Sequence, residues 1–283
     1  MFPYIGGKAH HVSWMEPLFP SKFSRYVEVF GGAGWVMVKS NKIQDAEQRI
    51  YNDRNPYLAN VWECFRTDPN KLLEIMNEIP KSDVELYRAY QHQLFSQPYY
   101  WFGKPDYPVA AQFLYLQTQV FAGTPLSINN VPYFTDKTGK YSSKWDTLRR
   151  KLEKKQIQDT IKSITVVENM DCEDVIQKWD DKDTFFYIDP PYYNTEFYYS
   201  ETFSKEKHHR LADLLRNIQG KFALSYYDFD NLKDMYPPNK FNWHRQEVYR
   251  AASTRSSNKK DYNRTSKGTE VLIMNYQTIE NNK

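Results

Sequence analysis

The sequence predicts an α/β fold, a nucleotide-binding type of sheet whose strands alternate with helices, interrupted by a helical insert. Three observations carry that prediction. "RYVEVF" at residues 25–30 is β-branched and aromatic and runs into "GGAG" and then "WVMVKS", the spelling of strand, tight glycine turn and helix. The same alternation resumes after residue 163, and between about 71 and 121 only helical patterns occur.

In chain order, "QRIYND" is the second strand candidate and ends at Asp53; "NPYLANVWECF" follows with Leu58, Val61 and Phe65 at helical spacing. Within the insert, Ser82-Asp83-Val84-Glu85 spells a capping box that opens "LYRAYQHQLF". "VAAQFLYLQTQVF" is apolar on nearly all sides and is expected at the centre of this region. Residues 122–143 are rich in turn formers and read as a loop, and the basic helix "KWDTLRRKLEKKQ" closes the insert. Then come "SITVVE", "CEDVIQKW", "TFFYID", an amphipathic helix through Leu211, Leu214, Leu215 and Ile218, the strand "KFALSYY" and a last strand "EVLIMNY".

At 283 residues the chain has room for about two domains, or for one large domain with an insertion. No stretch approaches the roughly 18 unbroken apolar residues of a membrane helix, and the N-terminal residues lack the pattern of a secretion signal, so a soluble, unsecreted protein is expected. Cys64 and Cys172 are too few for a disulfide framework and far from any zinc spacing, which suits a reduced, intracellular setting. On the same ground the triplet Asn263-Arg264-Thr265 is expected to stay unmodified. His10-His11 and His208-His209 do not make a metal site, because neighbouring positions rarely point the same way and no carboxylate lies at a helpful spacing.

Charge is placed unevenly. Against a whole-chain net of +3, residues 137–162 carry nine Lys/Arg and three Asp/Glu, and residues 245–267 carry seven and two. Two basic segments on a nearly neutral chain suit a localised anion-binding surface, nucleic acid being the commonest such partner. An aromatic content of 17% adds stacking surfaces for flat ligands, or simply a large core.

Three motifs carry chemistry. A strand ending in the glycines of "VEVFGGAG" lets backbone approach a bound nucleoside, and Asp53 at the end of the next strand is spaced to hold ribose hydroxyls. The glycines do not spell G-x-G-x-x-G and no phosphate-loop lysine follows, which favours a nucleoside without phosphates over a dinucleotide or ATP. "PYIGGK" at residues 3–8 resembles an anion cradle, with Tyr4 able to stack on or cap a ligand. Finally, Asp189-Pro190-Pro191-Tyr192 ends a strand with a carboxylate and two prolines. Methylating an exocyclic amine is hard because the nitrogen lone pair is delocalised into its ring. A carboxylate and the Pro190 carbonyl can each accept an amino hydrogen and turn the lone pair toward an incoming methyl group, the prolines fix that backbone, and Tyr192 can stack on a base drawn from its duplex.

"PYIGGK", "VEVFGGAG", "YND", "ENMDCEDVI" and "FFYIDPPY", in that order along the chain, give it a sequence that resembles the Dam-like (D12, alpha-group) DNA adenine N6 methyltransferases over residues 3–276. The resemblance implies a Rossmann-like S-adenosylmethionine-dependent methyltransferase sheet with an inserted helical target-recognition domain. Residues 1–70 and 151–283 would be catalytic, and residues 71–150 the insert. It implies transfer of a methyl group from S-adenosyl-L-methionine to N6 of a flipped-out adenine, catalysed by Asp189, Pro190, Pro191 and Tyr192. Carried over by position, Tyr4 and Lys8 meet the cofactor's methionine end; Glu28, Phe30 and Gly32 lie beneath it; Asp53 takes the ribose; Asp171 contacts the adenine side, with Cys172 next to it; and Ile5 and Asp189 also border the cofactor. Cys172 stands where a Phe is common and Tyr4 where a Trp is common. For DNA, the resemblance points to Asn129 and Asn130 as base readers, Lys137, Lys140 and Lys144 as phosphate contacts, and Arg255, Asn258, Lys259 and Lys260 near the flipped base. It further implies double-stranded DNA as partner, no metal and no membrane, the cytoplasm of a prokaryotic cell or phage-infected host, and room for a cognate restriction endonuclease. N4 of cytosine, which presents a similar amine, and a non-catalytic DNA-binding protein on the same scaffold are the alternatives. The second predicts broken motifs, and none here is broken.

Overall fold

The computed structural model describes residues 1–134, 143–193, 203–249 and 267–278. Seven strands among these residues form one sheet: β1 (Arg25–Glu28), β2 (Gln48–Asn52), β3 (Val166–Glu168), β4 (Thr184–Ile188), β5 (Lys221–Tyr227), β6 (Asn242–Tyr249) and β7 (Lys267–Met274). Their spatial order is β3-β2-β1-β4-β5-β7-β6. The first five run parallel, while β7 pairs antiparallel with both β5 and β6. From β1 the chain works outward through β2 and β3, then returns to start β4 against the other side of β1. In such sheets the crevice at the carboxyl ends of the two strands flanking the reversal is where ligands bind.

The central strand β4, "TFFYI", is buried at every position, as expected of a parallel strand covered on both faces. Alternate residues enter different cores: Tyr26, Phe185, Tyr187 and Leu272 pack on one face, and Val27, Phe186, Ile188 and Ile273 on the other. The first face carries the helices Pro56–Thr67 and Tyr107–Thr118, the latter with ten of its twelve residues buried. Side-chain caps start the longer helices: Asn55, Asp68, Asp106, Ser143, Asp171 and Ser204 each accept a backbone N–H of the first turn. None of the described helices is long and apolar enough to cross a membrane.

Local expectations are corrected at four places. Asp83, not Ser82, caps the helix Val84–Phe95, accepting from Leu86 N at 2.9 Å. The basic helix is two helices, Lys144–Leu152 and Lys155–Lys162, because Lys154 turns extended with ψ 119°; the Gln158 amide then donates to the open Leu152 carbonyl at 2.7 Å. Strand β6, "NWHRQEVY", was not expected from its polar spelling. It is an edge strand with exposed His244, Arg245, Gln246 and Glu247, the type of charged border that discourages pairing with a second sheet. The last strand spans Lys267–Met274 rather than residues 270–276.

Candidate active site

A cavity of about 400 Å³ opens at the carboxyl ends of β1, β2 and β4. Tyr4, Ile5, Lys8, Glu28, Phe30, Gly32, Asp53, Asp171, Cys172 and Asp189, all named from the sequence as cofactor residues, line it together. Pro191 and Tyr192 also line it, whereas Pro190 is buried and does not.

Glycine is required under this cavity for two separable reasons. Gly32 (φ +48°) and Gly34 (φ +60°) hold left-handed backbone, and a Cβ on Gly34 would come within 2.2 Å of the Trp62 ring. The turn is pinned by its own carbonyl: Gly32 O accepts from Tyr51 Oη at 2.8 Å and from Trp62 Nε1 at 3.0 Å. Asp53 is fixed from both sides, its Oδ2 accepting from Gly32 N at 2.8 Å and its Oδ1 from Asn55 N at 2.9 Å. Tyr4 lies over the turn, with ring atoms 3.1–3.2 Å from where a Gly32 Cβ would stand.

At one end of the cavity Asp171 caps the helix Cys172–Trp179 and is met by Lys207 Nζ and, at 3.6 Å, by Arg54 Nη1. Burial pushes its carboxyl up, but the hydrogen bonds from Lys207 and from the Glu173 backbone reverse that and leave it below the ordinary carboxylate range. The Cys172 thiol, buried beside it, is pushed up by burial.

At the other end Lys8, itself buried, stands between two carboxylates, 2.8 Å from Asp189 Oδ1 and 3.4 Å from Glu270 Oε1. The ammonium donates to Tyr192 Oη at 2.5 Å, and Tyr192 in turn donates to Glu270 Oε1 at 2.5 Å. Ser225 donates to the same oxygen at 2.6 Å. Burial pushes Asp189 up to about 6; Lys8 opposes the shift and Glu270 adds to it. Glu28, fully enclosed beneath the cavity, is pushed up to about 8 by burial although Tyr26 Oη and Met37 N donate to it at 3.0 and 2.8 Å.

Glu270, Lys207, Arg54 and Ser225 were not singled out from the sequence. Glu270 had a readable signal, an acid opening an otherwise apolar strand "EVLIMNY"; the other three had none, because only the fold brings them to the cavity.

The described DNA-binding candidates lie away from the cavity lining. Asn129 is exposed, while Asn130 turns its carboxamide oxygen back onto Ser127 N and lends its carbonyl to Arg88 and Gln91. Lys144 is half-buried, donates to Val120 O at 3.2 Å and lies 5.9 Å from the centre of the Tyr133 ring. Nearby Phe121, Ile128, Val131 and Tyr133 are exposed. Lys137, Lys140, Arg255, Asn258, Lys259 and Lys260 fall outside the described residues.

Comparison with known proteins places this arrangement. The family model of D12 class N6 adenine-specific DNA methyltransferases matches residues 4–252. The chain is 25% identical to the Type II methyltransferase M1.LlaDCHI of Lactococcus lactis subsp. cremoris, covering 96% of this chain and 94% of that one. It is 23% identical to the Type II methyltransferase M.MjaIII of Methanocaldococcus jannaschii, covering 96% and 97%. To the DNA adenine methylase of Haemophilus influenzae it is 27% identical over 88% of this chain and 86% of that protein.

Proposed function

The chain belongs to the D12 class N6 adenine-specific DNA methyltransferases, and from that premise we propose the donor, the division of labour along the chain and the role of each residue at the cavity. It is a site-specific DNA methyltransferase acting on adenine N6. The methyl donor is S-adenosyl-L-methionine, which supplies an activated methyl group on a sulfonium. The single observation that carries this reading is the convergence of Asp53, Asp171, Lys8 and Asp189 on one cavity at the sheet's reversal point.

The residues fit that donor. Asp53 keeps lone pairs for ribose hydroxyls while two backbone amides hold its carboxylate still. Cys172 offers an apolar wall for a purine, Asp171 accepts from its amino edge, and Tyr4, Ile5 and Lys8, with Phe30 and the glycine turn beneath, take the amino-acid end. Asp189 accepts a hydrogen from the N6 amine of an adenine turned out of the duplex, aligning the nitrogen lone pair with the methyl group, and the Pro190 carbonyl accepts the other. As the N6–C bond forms and the S–C bond breaks, one N6 proton leaves. Asp189, held near the middle of the titration range, accepts it and later releases it to water.

Residues 1–70 and 151–283 make the catalytic domain, and residues 71–150 the target-recognition insert. In the insert Asn129 and Asn130 read bases, and Lys137, Lys140 and Lys144 contact phosphates. Pro191 and Tyr192 support and stack on the flipped base, while Arg255, Asn258, Lys259 and Lys260 hold the backbone near it. Double-stranded DNA is the partner and the cytoplasm of a prokaryotic cell or infected host the setting.

Incubation with methyl-labelled S-adenosylmethionine and DNA, followed by digestion to nucleosides, tests the reading. N6-methyldeoxyadenosine is the expected product. Asp189→Ala should lower its formation about 10³-fold, the scale of losing a transition-state hydrogen bond, with DNA binding by gel shift kept. Label in N4-methyldeoxycytidine, or full activity in the variant, would overturn it.

A further inference from the structure

The buried acid Glu270 is not used by the mechanism above, yet it is built into the same contacts. Its strand position carries no solvent exposure, and one carboxylate oxygen gathers Tyr192 Oη, Ser225 Oγ and Lys8 Nζ. The other oxygen, Oε2, is buried with no hydrogen-bond partner among the described residues. A carboxylate left this incompletely paired inside a protein is costly, and stability alone would favour an amide or an apolar side chain there.

We propose that Glu270 is a positioning residue for methyl transfer: by sharing Lys8 with Asp189, it keeps that ammonium from neutralising the catalytic carboxylate. This rests on the role given to Asp189 above. One cation lies between two acids, so the cluster of Lys8, Asp189 and Glu270 carries a net negative charge facing the donor's sulfonium and the developing positive charge on the adenine. With Glu270 neutral, Lys8 belongs to Asp189 alone, and the carboxylate becomes both less basic and electrically cancelled. Tyr192 is held by the same oxygen, which couples the residue facing the base to the charge balance.

The other titratable groups facing the cluster leave this balance in place. Burial holds the His11 imidazole below its usual range, so it stays uncharged at pH 7 and above although it lies in the field of Glu270 and Lys8. Burial also pushes the phenols of Tyr187 on β4 and of Tyr192 far up, which keeps both neutral. Glu28 on β1 is pushed up to about 8 by burial, so it holds its proton through the acid range in which Asp189 titrates.

The test is the pH dependence of the single-turnover rate of adenine methylation for the full chain. Glu270→Gln keeps the shape and the donors' acceptor but removes the charge. The acid limb should move to lower pH by about one unit, as removal of a neighbouring like charge lowers a carboxylate pKa. The plateau rate should fall roughly tenfold or more, the scale of impaired acid–base work. Glu270→Asp keeps the charge and should leave the acid limb in its wild-type position. An acid limb unmoved in the Gln variant, or moved as far in the Asp variant, overturns the proposal and leaves Glu270 a structural residue. If the Gln variant does not fold, a displaced limb in the Asp variant alone overturns it and a retained one supports it. A wild-type chain that forms no N6-methyldeoxyadenosine would instead overturn the role of Asp189.

Discussion

Asp171 and Asp189 line opposite ends of one cavity with side chains 25% and 16% exposed, yet their surroundings push them in opposite directions. Burial drives both up. At Asp171 the Lys207 ammonium and the Glu173 backbone N–H in the first turn of a helix overcome it, and the acid stays below its ordinary range. At Asp189 a single ammonium is divided with Glu270, and the acid rises to about 6. Glu28, which accepts hydrogen bonds from the neutral donors Tyr26 and Met37, rises to about 8 through burial. Depth of burial and the share of counter-charge together yield three acid strengths, lowest at the most exposed acid, Asp171, and highest at the most buried, Glu28. The end that is proposed to hold the donor is fully compensated, and the end that is proposed to do chemistry is not.

Removing one cation from each end is the strongest way to break this comparison. Lys8→Met leaves Asp189 and Glu270 facing each other in the interior, and the loss should be about 3 kcal/mol of folding stability, typical of breaking a buried pair. Arg54→Met removes a half-exposed partner 3.6 Å from Asp171, where about 1 kcal/mol or less is expected. Urea unfolding of both variants measures the difference. Equal losses would mean that the two ends are electrostatically alike.

The order of the motifs made most of this readable from the sequence, because strands that end in Gly, Asp or Pro announce where backbone must turn at a ligand. The ten cofactor candidates, carried over by position from the family resemblance, line one cavity. What could not be read depends on pairing across the sheet. Strand β6 is spelled by polar residues because it borders solvent, so it lacks the apolar alternation that marks a strand. Glu270 shares the Lys8 cluster only because β7 inserts antiparallel beside β5, a pairing with no local signature. The break at Lys154 likewise sits inside an unbroken helical spelling.

The Glu28 end of the series predicts a pH effect on folding in the absence of donor. Its pKa in the folded chain, about 8, lies above the ordinary 4.5. A raised folded pKa means that the native state binds the proton more tightly, so the stabilisation is fully present below about pH 4.5 and is lost as pH rises through about 8. The slope in between is at most about 1.4 kcal/mol per pH unit for one group. Glu28→Gln mimics the protonated acid and should remove this decline: melting temperatures of variant and wild type should lie close together at pH 5, with the variant higher at pH 8. A difference that does not grow with pH would show that Glu28 is charged throughout.

The smallest expected effect, and the sharpest on division of labour, is at Asp171. Asn is as good a helix cap as Asp, so Asp171→Asn should leave the first turn of helix Cys172–Trp179 intact and spare folding. What disappears is the charge that holds Lys207 and Arg54 and that is proposed to face the donor's adenine. Calorimetry should find S-adenosylmethionine bound about fivefold more weakly, about 1 kcal/mol, while the single-turnover rate at saturating donor stays near wild type because Asp189 and its shared ammonium are untouched. A variant that binds the donor normally but transfers slowly would place Asp171 with the chemistry, and the contrast between the two ends of the cavity would no longer separate holding from reacting.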